Sequence, residues 1–366
     1  MKALLVDPSS HGGIAVYTSL IARALSAAGQ DVTVLGSRAL SKAEGPYALK
    51  RWLPQLEWGR PADAGPGFFV RRAFVWGMSA AAVETVALAG RADVVHFQAP
   101  LNRRLDASLI RAVRKLAPVV WTAHDVLPFE RTAADSARFA AIYRAADLVL
   151  VHSAAAAGQV RELAGVEPLV VDHVVALPLV SLDPAAARER LGLPREGRIL
   201  AALGFIRPYK GYDLLADVWG RLGDQAPYLL VMGQVVSGED SAAPLAQLER
   251  TGRAEIRLGY ASDEDLQLAI AAADAVLLPY TAASESGLMH QARSLGTPVV
   301  ASDVPALAEA VEASSAGRVV PRNVDAWAAA VTGLLPESPP TPPTSAATAA
   351  AHVEAYDEAR RRRRGP

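Results

Sequence analysis

The sequence contains no cysteine, and its 37 basic and 38 acidic residues almost cancel. The lack of cysteine excludes disulfide bonds and thiolate catalysis, and it is compatible with a reducing cytoplasm. The balanced charge gives no global field that would favour nucleic acid or a strongly acidic partner. Residues 1–7 form a short strand-like run without the layout of a signal peptide. We therefore expect a globular, cytoplasmic chain that binds no nucleic acid.

Long apolar runs are also scarce. The stretch from Trp76 to Leu88 is interrupted by Glu84, and it is shorter than the about 20 residues that span a bilayer. Hydrophobic residues nevertheless make up 51% of the 366 residues, which is enough for two cores in a chain longer than one core usually supports. Two domains are the first expectation.

Strand-like runs alternate with helix-like segments along both halves of the chain. The first unit is a strand, a glycine loop, a helix at about 14–28 and a second strand, which is the βαβ unit of parallel sheets. The pattern thus predicts an α/β fold. The predicted strands are Lys2–Val6, Asp31–Leu35, Val94–Phe97, Val119–Thr122, Leu148–His152, Ile199–Leu203, Tyr228–Met232, Glu255–Leu258, Ala275–Leu278 and Pro298–Ala301.

Proline marks the predicted domain boundaries. Pro178, Pro184 and Pro194 interrupt the strand–helix alternation, and they predict a hinge between an N-terminal domain, 1–175, and a C-terminal domain, 190–335. Because prolines are also dense after the second domain, that stretch cannot form helix or sheet core.

The C-terminal end of the sequence has two further parts. Residues 335–345 predict a stiff, solvated connector, and residues 346–364 predict a helix that crosses back onto the N-terminal domain. This helix ends in five arginines, Arg360–Arg364. We interpret them as a solvated helix end whose cations suit the helix dipole. Attraction to an anionic membrane or to nucleic acid is the alternative.

The loop after the strand Ile199–Leu203 carries Arg207 and Lys210 beside Gly204. Arg207 offers a planar fork of donors and Lys210 a mobile point charge, and ligands of α/β sheets bind beyond the carboxyl ends of strands. The pattern indicates a diphosphate clamp. A solvated turn is the alternative, since surface Arg and Lys are common.

A second element lies about 75 residues further along. Glu285, Ser286, Gly287 and Leu288 open a helix-like segment that contains Gln291. Bare amides at a helix N-terminus attract phosphate. Together the two elements predict a site for a nucleoside diphosphate.

The histidines fall mostly at strand ends. His124 and Asp125 end one strand-like run and His96 ends another, so that all three are candidates for a site, with a core or capping role as the alternative. His152 and His173 lie in apolar surroundings, which favours a structural role. No pair of His, Asp or Glu has convincing metal-ligand spacing, and no metal is expected.

Several motifs in this order and spacing carry a family resemblance. They are Gly12-Gly13, Asp93–His96, Val119–Asp125, Ala146–Ser153, Gly204–Leu214, Gly259-Tyr260, Asp263–Leu266, Ala273-Asp274, Leu277–Tyr280 and Gly296–Val304. With them, nearly the whole chain resembles the retaining GT-B glycosyltransferases of the large fourth family, the glycosyl transferases group 1.

The resemblance implies a GT-B fold, with two Rossmann-like domains facing across a cleft, the N-terminal one for the acceptor and the C-terminal one for the donor. It implies transfer of a sugar from UDP-sugar or GDP-sugar to an acceptor hydroxyl with retention, without a metal or other cofactor. The acceptor is a sugar, a lipid-linked glycan or a natural product. The site residues are predicted to be His124, Arg207 and Lys210 for catalysis, Gly12, Gly13, Gly204, Tyr260, Glu285, Ser286, Gly287, Leu288 and Gln291 for the donor, and His96 and Asp125 for the acceptor.

One motif departs from the family pattern of two glutamates eight residues apart. Gln291 stands at the second position, where the family glutamate accepts hydrogen bonds from ribose hydroxyls, and Ala283 stands at the first. Glu285 replaces the first only if the loop is remodelled. Gln291 keeps an acceptor but loses the charge, so the contacts to the donor remain open.

The alternatives to a transferase share parts of this pattern. A GT-B epimerase or phosphorylase has the same fold, and a non-catalytic protein that binds nucleotide sugars or carbohydrate fits the altered glutamate pair. A dehydrogenase needs Gly-x-Gly-x-x-Gly in the first turn, which residues 8–16 do not provide. No second carboxylate suggests the nucleophile of a retaining hydrolase. For the cellular location, the cytoplasm or the inner membrane face is expected.

Overall fold

The protein is described by a computed structural model. The chain divides into two compact units, residues 1–174 together with 343–366, and residues 175–342. The residues that the structure describes are 1–9, 13–38, 40, 45–54, 66–128, 132–173, 183–235, 239–283, 286–314, 317–333 and 344–364. Pro178 of the predicted hinge and most of the predicted connector lie outside these ranges.

The N-terminal unit contains one parallel sheet with helices packed on it. Its strands are β1 Lys2–Asp7, β2 Asp31–Ser37, β3 Ala48–Leu53, β4 Val94–Phe97, β5 Val119–Thr122, β6 Leu148–Val151 and β7 Leu169–Val170. The helices are α1 Gly13–Ala27, α2 Pro66–Gly90, α3 Asp106–Val113, α4 Asp135–Ala145 and α5 Ala154–Ala164. The strands are ordered β3-β2-β1-β4-β5-β6-β7.

The C-terminal unit repeats this design with a six-stranded parallel sheet. Its strands are β8 Ile199–Leu203, β9 Tyr228–Gly233, β10 Ala254–Leu258, β11 Ala275–Leu278, β12 Val299–Ser302 and β13 Gly317–Val320. The helices are α6 Pro184–Leu191, α7 Tyr212–Leu222, α8 Glu239–Arg250, α9 Asp263–Ala272, α10 Gly287–Ser294, α11 Pro305–Ser314 and α12 Val324–Thr332, with 3-10 turns at Pro208–Lys210 and Gly223–Gln225. The strands are ordered β10-β9-β8-β11-β12-β13.

The last helix, α13 Ser345–Arg364, belongs to the N-terminal unit. Its residues Ala355, Tyr356 and Ala359 are buried in the core that α1 and β6 share. The terminal arginines are engaged as well. Arg362 donates to the carbonyl of Glu167 at 3.0 Å, and Arg363 donates to the carbonyl of Lys115 at 3.1 Å. Part of the arginine run thus fastens α13 to its own unit.

Burial explains which strands the sequence reveals. Every residue of β5, β6, β8 and β11 is buried, and strands covered on both faces read as continuous apolar runs. The predicted strands at β4, β5, β8 and β11 are confirmed with the same bounds. The strands β3, β7 and β13 were not predicted. They lie at sheet edges and are partly exposed, so their sequences are not continuous apolar runs.

The recurring Ala-Asp pairs before strands have a structural purpose. Each aspartate accepts a hydrogen bond from a backbone N–H at or just before the start of the neighbouring strand, and this satisfies a donor that would otherwise lack a partner. The pairs are Lys2 N with Asp93 Oδ2 at 2.7 Å, Val119 N with Asp147 Oδ2 at 2.8 Å, and Ile199 N with Asp274 Oδ2 at 2.7 Å. These family motifs therefore support the fold.

Helix α2 is longer than the apolar stretch suggested. It runs over 25 residues, and among the described residues its part Val70–Gly90 is long and apolar enough to cross a membrane by length and composition alone. The expectation concerned Trp76–Leu88 alone, which is one part of this longer helix. A core helix passes the same test, but this segment is only 28% buried. Val70, Phe74 and Met78 are exposed on it.

Candidate functional site

The loop after β8 is built closely against neighbouring backbone. Gly204 has φ +90°. A Cβ on Gly233 would lie 1.7 Å from the carbonyl oxygen of Gly204. Gly211 has φ +76°, and a Cβ on it would lie 1.9 Å from the carbonyl oxygen of Pro279. Glycine is required where the backbone is left-handed and contacts are this close. These contacts position the Arg207–Lys210 turn between two strand ends.

Lys210 is held by Tyr280, which follows the neighbouring strand β11. The Nζ atom donates to the Tyr280 hydroxyl at 2.6 Å and lies 3.9 Å from the centre of the ring. The Tyr209 carbonyl accepts from Thr281 N at 2.9 Å. Burial raises the pKa of the Tyr280 phenol well above its usual range, against a smaller opposing effect of a hydrogen bond with Ser286. Tyr280 therefore connects the basic turn to the start of α10.

The N-terminus of α10 faces this network through Ser286. The Ser286 hydroxyl caps the helix and accepts from Met289 N at 3.4 Å, so that Gly287 and Leu288 occupy the first helical positions. Amides at these positions are the ones that attract phosphate. One turn further, the Gln291 Oε1 atom is buried and has no hydrogen-bond partner among the described residues. A buried acceptor of this kind calls for a donor.

The remaining predicted donor residues are more scattered. Gly12 and Glu285 lie outside the described residues. Gly13 is the exposed first residue of α1, and Tyr260, after β10, is 57% exposed. The structure thus brings together Gly204, Arg207, Lys210, Ser286 and the start of α10 in the C-terminal unit.

His96 does not have the geometry of an acceptor contact. It is fully buried, with Nδ1 2.9 Å from the Tyr356 hydroxyl and Nε2 2.7 Å from the Thr122 hydroxyl. Both ring nitrogens are therefore engaged inside the fold. Burial lowers the pKa of His96 well below its ordinary value, so it is a neutral core side chain that joins α13 to β5.

His124 lies beyond the end of β5 and is half-buried. Its Nε2 is 3.3 Å from Gln98 Oε1, and its ring meets the Tyr17 ring edge-on at 4.6 Å. Burial lowers the pKa of His124 well below its ordinary value, and His152 and His173 add to the effect. Asp125 beside it is exposed.

His124 has two histidine neighbours that sequence reasoning did not connect. One ring nitrogen each of His124, His152 and His173 lies within 4.8 Å of the others. The expectation of no metal rested on spacing along the sequence, whereas this cluster arises from the fold. No local motif reveals the cluster, because its members come from three separate segments of the chain. His124 and His152 stand at the ends of two predicted strands, which was the available signal, whereas the strand before His173 was not predicted.

The family follows from two matches along the chain. Residues 11–176 match the family model for Glycosyltransferase Family 4, and residues 197–337 match that for Glycosyl transferases group 1. The chain belongs to the group 1 glycosyltransferases. The resemblance inferred from the motifs is confirmed, and so is the enzyme class.

The chain is similar to two curated relatives that share one name. The chain is 33% identical to the D-inositol 3-phosphate glycosyltransferase of Streptomyces scabiei over 233 residues, 59% of this chain and 52% of the relative. It is 29% identical to the enzyme of the same name from Mycobacterium leprae over 358 residues, 88% of this chain and 80% of the relative. The match thus spans about half of the first relative.

Solved structures confirm the GT-B fold. Anabaena Alr3699/HepE, in complex with UDP and glucose, superposes with a TM-score of 0.67 at 18% identity, covering 98% of this chain and 95% of that one. WaaG, a glycosyltransferase of lipopolysaccharide biosynthesis, gives 0.61 at 17% identity, with coverage of 98% and 95%. The α/β fold with two Rossmann-like halves is confirmed.

Proposed function

We propose that the donor diphosphate binds in the C-terminal unit to Arg207, Lys210 and the first amides of α10. The observation that carries this proposal is the connection from Lys210 through Tyr280 to Ser286, which joins both phosphate-binding elements. Cations and amides fixed in this way stabilise the negative charge that builds up on a leaving diphosphate. Because Arg207 and Lys210 supply the positive charge, the proposal requires no metal at the phosphates.

The proposed transfer retains the anomeric configuration. Neither the turn 204–211 nor α10 contains a carboxylate that could form a covalent glycosyl intermediate of the hydrolase type. The acceptor hydroxyl would instead attack on the face of the leaving diphosphate, whose oxygen receives the proton. A bond from the anomeric carbon to the acceptor oxygen forms as the bond to the diphosphate oxygen breaks.

His124 and Asp125 are the proposed residues of the N-terminal unit near the transferred sugar and the acceptor. His124 is proposed to meet the sugar through its backbone, because its ring is engaged with Gln98 and Tyr17. Since Asp125 is exposed, its carboxylate is accessible to a hydroxyl-bearing acceptor. His96, which is fully buried, is not included.

UDP-sugar is the proposed donor, with GDP-sugar as the alternative. The support is the HepE structure with UDP and glucose, whose fold this chain shares. For the acceptor, a phosphorylated cyclitol such as inositol phosphate is the first candidate, because two relatives carry that substrate in their names. Other sugars, lipid-linked glycans and natural products complete the acceptor panel.

The experiment has two stages. Thermal shift and calorimetry with UDP, GDP and NAD identify the nucleotide, and we expect a response to UDP and none to NAD. Turnover of UDP-glucose with the acceptor panel, followed by NMR of the anomeric proton, then tests transfer and retention. Product of inverted configuration would contradict the retaining mechanism. Nucleotide binding without turnover on any acceptor would favour a binding protein.

We also propose that a weak membrane contact, at the inner face, involves α2 and not the arginine run. Val70, Phe74 and Met78 are 70%, 67% and 45% exposed and follow one another at the four-residue spacing of one helix face. Arg71 and Arg72 stand beside them and suit anionic headgroups. The Phe74→Ser variant should sediment less with anionic vesicles than the parent. The control is Leu258→Ser, at an exposed position in the C-terminal unit, and it should sediment as the parent does. Equal sedimentation of all three proteins contradicts this contact.

A further inference from the structure

Three adjacent strands of the N-terminal sheet each place a histidine at the same edge. The strands β5, β6 and β7 are neighbours, and His124, His152 and His173 follow within three residues of their ends. Because the strands are parallel, their carboxyl ends lie together. The cluster is thus positioned by sheet topology, within one unit and separate in sequence from the donor phosphate site.

The distances suit a shared metal ion. One nitrogen of each ring lies within 4.8 Å of the others. In a tetrahedral zinc site with Zn–N bonds of about 2.0–2.1 Å, ligand nitrogens are roughly 3.4 Å apart. The rings are half-buried, and binding requires that their rotation closes this difference.

The outer hydrogen bonds orient two of the rings. His152 Nδ1 lies 3.0 Å from the carbonyl oxygen of Val171, which only accepts, so Nδ1 carries the proton and Nε2 is the nitrogen with the lone pair. His124 Nε2 lies 3.3 Å from Gln98 Oε1, which likewise leaves Nδ1 with the lone pair. Metal-binding histidines almost always donate their other ring N–H to a carbonyl, carboxylate or water in this way.

The three rings share one aromatic neighbour. Tyr17 contacts all three rings, with centroid distances of 4.6, 5.0 and 4.9 Å to His124, His152 and His173. We propose that His124, His152 and His173 bind a divalent transition metal ion, with zinc as the expected ion and water as a fourth ligand. Imidazole ligands suit zinc, and the bound ion would fasten the three strand ends to one another.

Metal binding to the full-length protein tests this proposal. Protein stripped with a chelator and dialysed should take up one Zn²⁺ per chain in a competition titration with a chromophoric chelator. His152→Gln and His173→Gln should each weaken zinc binding by more than the about 10-fold expected for loss of an outer partner in Gln98→Leu. His290→Gln, which changes a histidine of the C-terminal unit, is the matched control and should bind zinc as the parent does.

Two further measurements decide the outcome if a variant does not fold. X-ray absorption of the zinc-loaded parent should show three imidazole ligands, and Co²⁺ should give the absorption of a four-coordinate site. No stoichiometric binding, a first shell without imidazoles, or unchanged affinity in folded His152→Gln and His173→Gln would show that the cluster is only packing around Tyr17. UDP affinity should be the same with and without chelator, so failure of this proposal leaves the donor site untouched.

Discussion

Lys210 donates a hydrogen bond from Nζ to the Tyr280 hydroxyl at 2.6 Å, and this bond ties the loop after β8 to the loop after β11. The two strands are neighbours in the sheet. The ammonium group also lies 3.9 Å from the ring centre, where a cation is attracted by the aromatic face. Lys210 is thereby held at a strand end before any phosphate arrives, which reduces the entropy that binding must overcome.

The first prediction concerns this basic turn. Arg207→Met and Lys210→Met should each weaken UDP binding about 10–100-fold, because charge-assisted contacts contribute roughly 1.5–3 kcal/mol. Tyr280→Phe should weaken it less, since it removes only the hydroxyl that holds Lys210. Isothermal titration calorimetry measures all three variants. Lys115→Met, at an exposed position of the N-terminal unit, is the control, and unchanged affinity in both Arg207→Met and Lys210→Met would place the diphosphate elsewhere.

The second prediction concerns Gly211. Its φ is +76°, and a methyl group on its Cα would lie 1.9 Å from the carbonyl oxygen of Pro279, so a side chain there meets both strain and a clash. Gly165 has φ +66° with nothing within 4 Å of such a methyl group, so Gly165→Ala should cost only the left-handed strain of about 1–2 kcal/mol. Gly211→Ala should lower the free energy of unfolding, measured in urea, clearly more than Gly165→Ala does. Equal losses in the two variants would mean that the loops separate easily.

The third prediction concerns Asp147. Its Oδ2 accepts from Val119 N at 2.8 Å, and its Oδ1 pairs with Arg114 at 2.6 Å. Asp147→Ala leaves a buried N–H without a partner, which costs about 1–3 kcal/mol. Arg114→Met keeps the backbone bond and should cost less, because the Arg114 side chain is 38% exposed although the Asp147 side chain is 1% exposed, so water can reach the position of the lost cation. Urea unfolding compares them, and a larger loss in Arg114→Met would assign the stabilisation to the ion pair.

The fourth prediction concerns the loss of folding stability at acidic pH and the part of His352 in it. Burial lowers the pKa of His352 to about 4, against the raising effect of its bond to the Thr348 carbonyl. Between about 6.5 and 4 the unfolded chain binds a proton that the folded one does not, so stability falls as pH falls through this window. His352 accounts for up to about 3 kcal/mol of this loss.

A variant isolates the contribution of His352 from that of other groups. Asp106, whose pKa burial raises to about 7, acts in the opposite direction because its folded form holds the extra proton. His352→Gln does not titrate, and it should therefore lose less stability than the parent between pH 6.5 and 4. Unfolding midpoints in urea across this range measure the difference. Parallel curves for the two proteins would show that His352 is protonated in the folded state.

The sequence predicted the central strands and the basic turn because their signals are local. A strand buried on both faces, such as β8, is a continuous apolar run, and Arg207 and Lys210 directly follow it. Edge strands such as β3 are half-exposed, so hydrophobic patterning does not separate them from loops. Longer-range relations were not predicted. The contact between Lys210 and Tyr280 joins residues 70 positions apart, and only the strand order makes them neighbours.

The histidines show the same limit. His96 and His124 both end strands, and sequence reasoning treated both as site candidates. The difference arises from α13, whose Tyr356 covers His96 and bonds it at 2.9 Å, while no sequence pattern reveals which strand end a distant helix covers. Likewise, His152 and His173 looked structural because their apolar neighbours are visible in the sequence, whereas their approach to His124 depends on the register of β6 and β7.

The last prediction concerns Gln291, whose buried Oε1 has no partner among the described residues. If this oxygen accepts a ribose hydroxyl, Gln291→Glu should tighten UDP binding by about 1 kcal/mol, roughly fivefold, since a charged acceptor makes the stronger bond. Without nucleotide the new carboxylate would be poorly solvated, so the free variant should unfold at lower urea concentration than the parent and UDP should restore part of the loss.

Two controls separate this contact from a general effect of charge. Uridine diphosphate without the 2′ and 3′ hydroxyls should bind Gln291→Glu no better than the parent, because the donors of the proposed hydrogen bonds are gone. Gln291→Ala should bind ordinary UDP more weakly than the parent, since the acceptor itself is removed. Calorimetry with both ligands gives all six affinities. If Gln291→Glu and Gln291→Ala both bind UDP as the parent does, Gln291 does not contact the ribose, and its oxygen is paired by water or by the residues outside the described ranges.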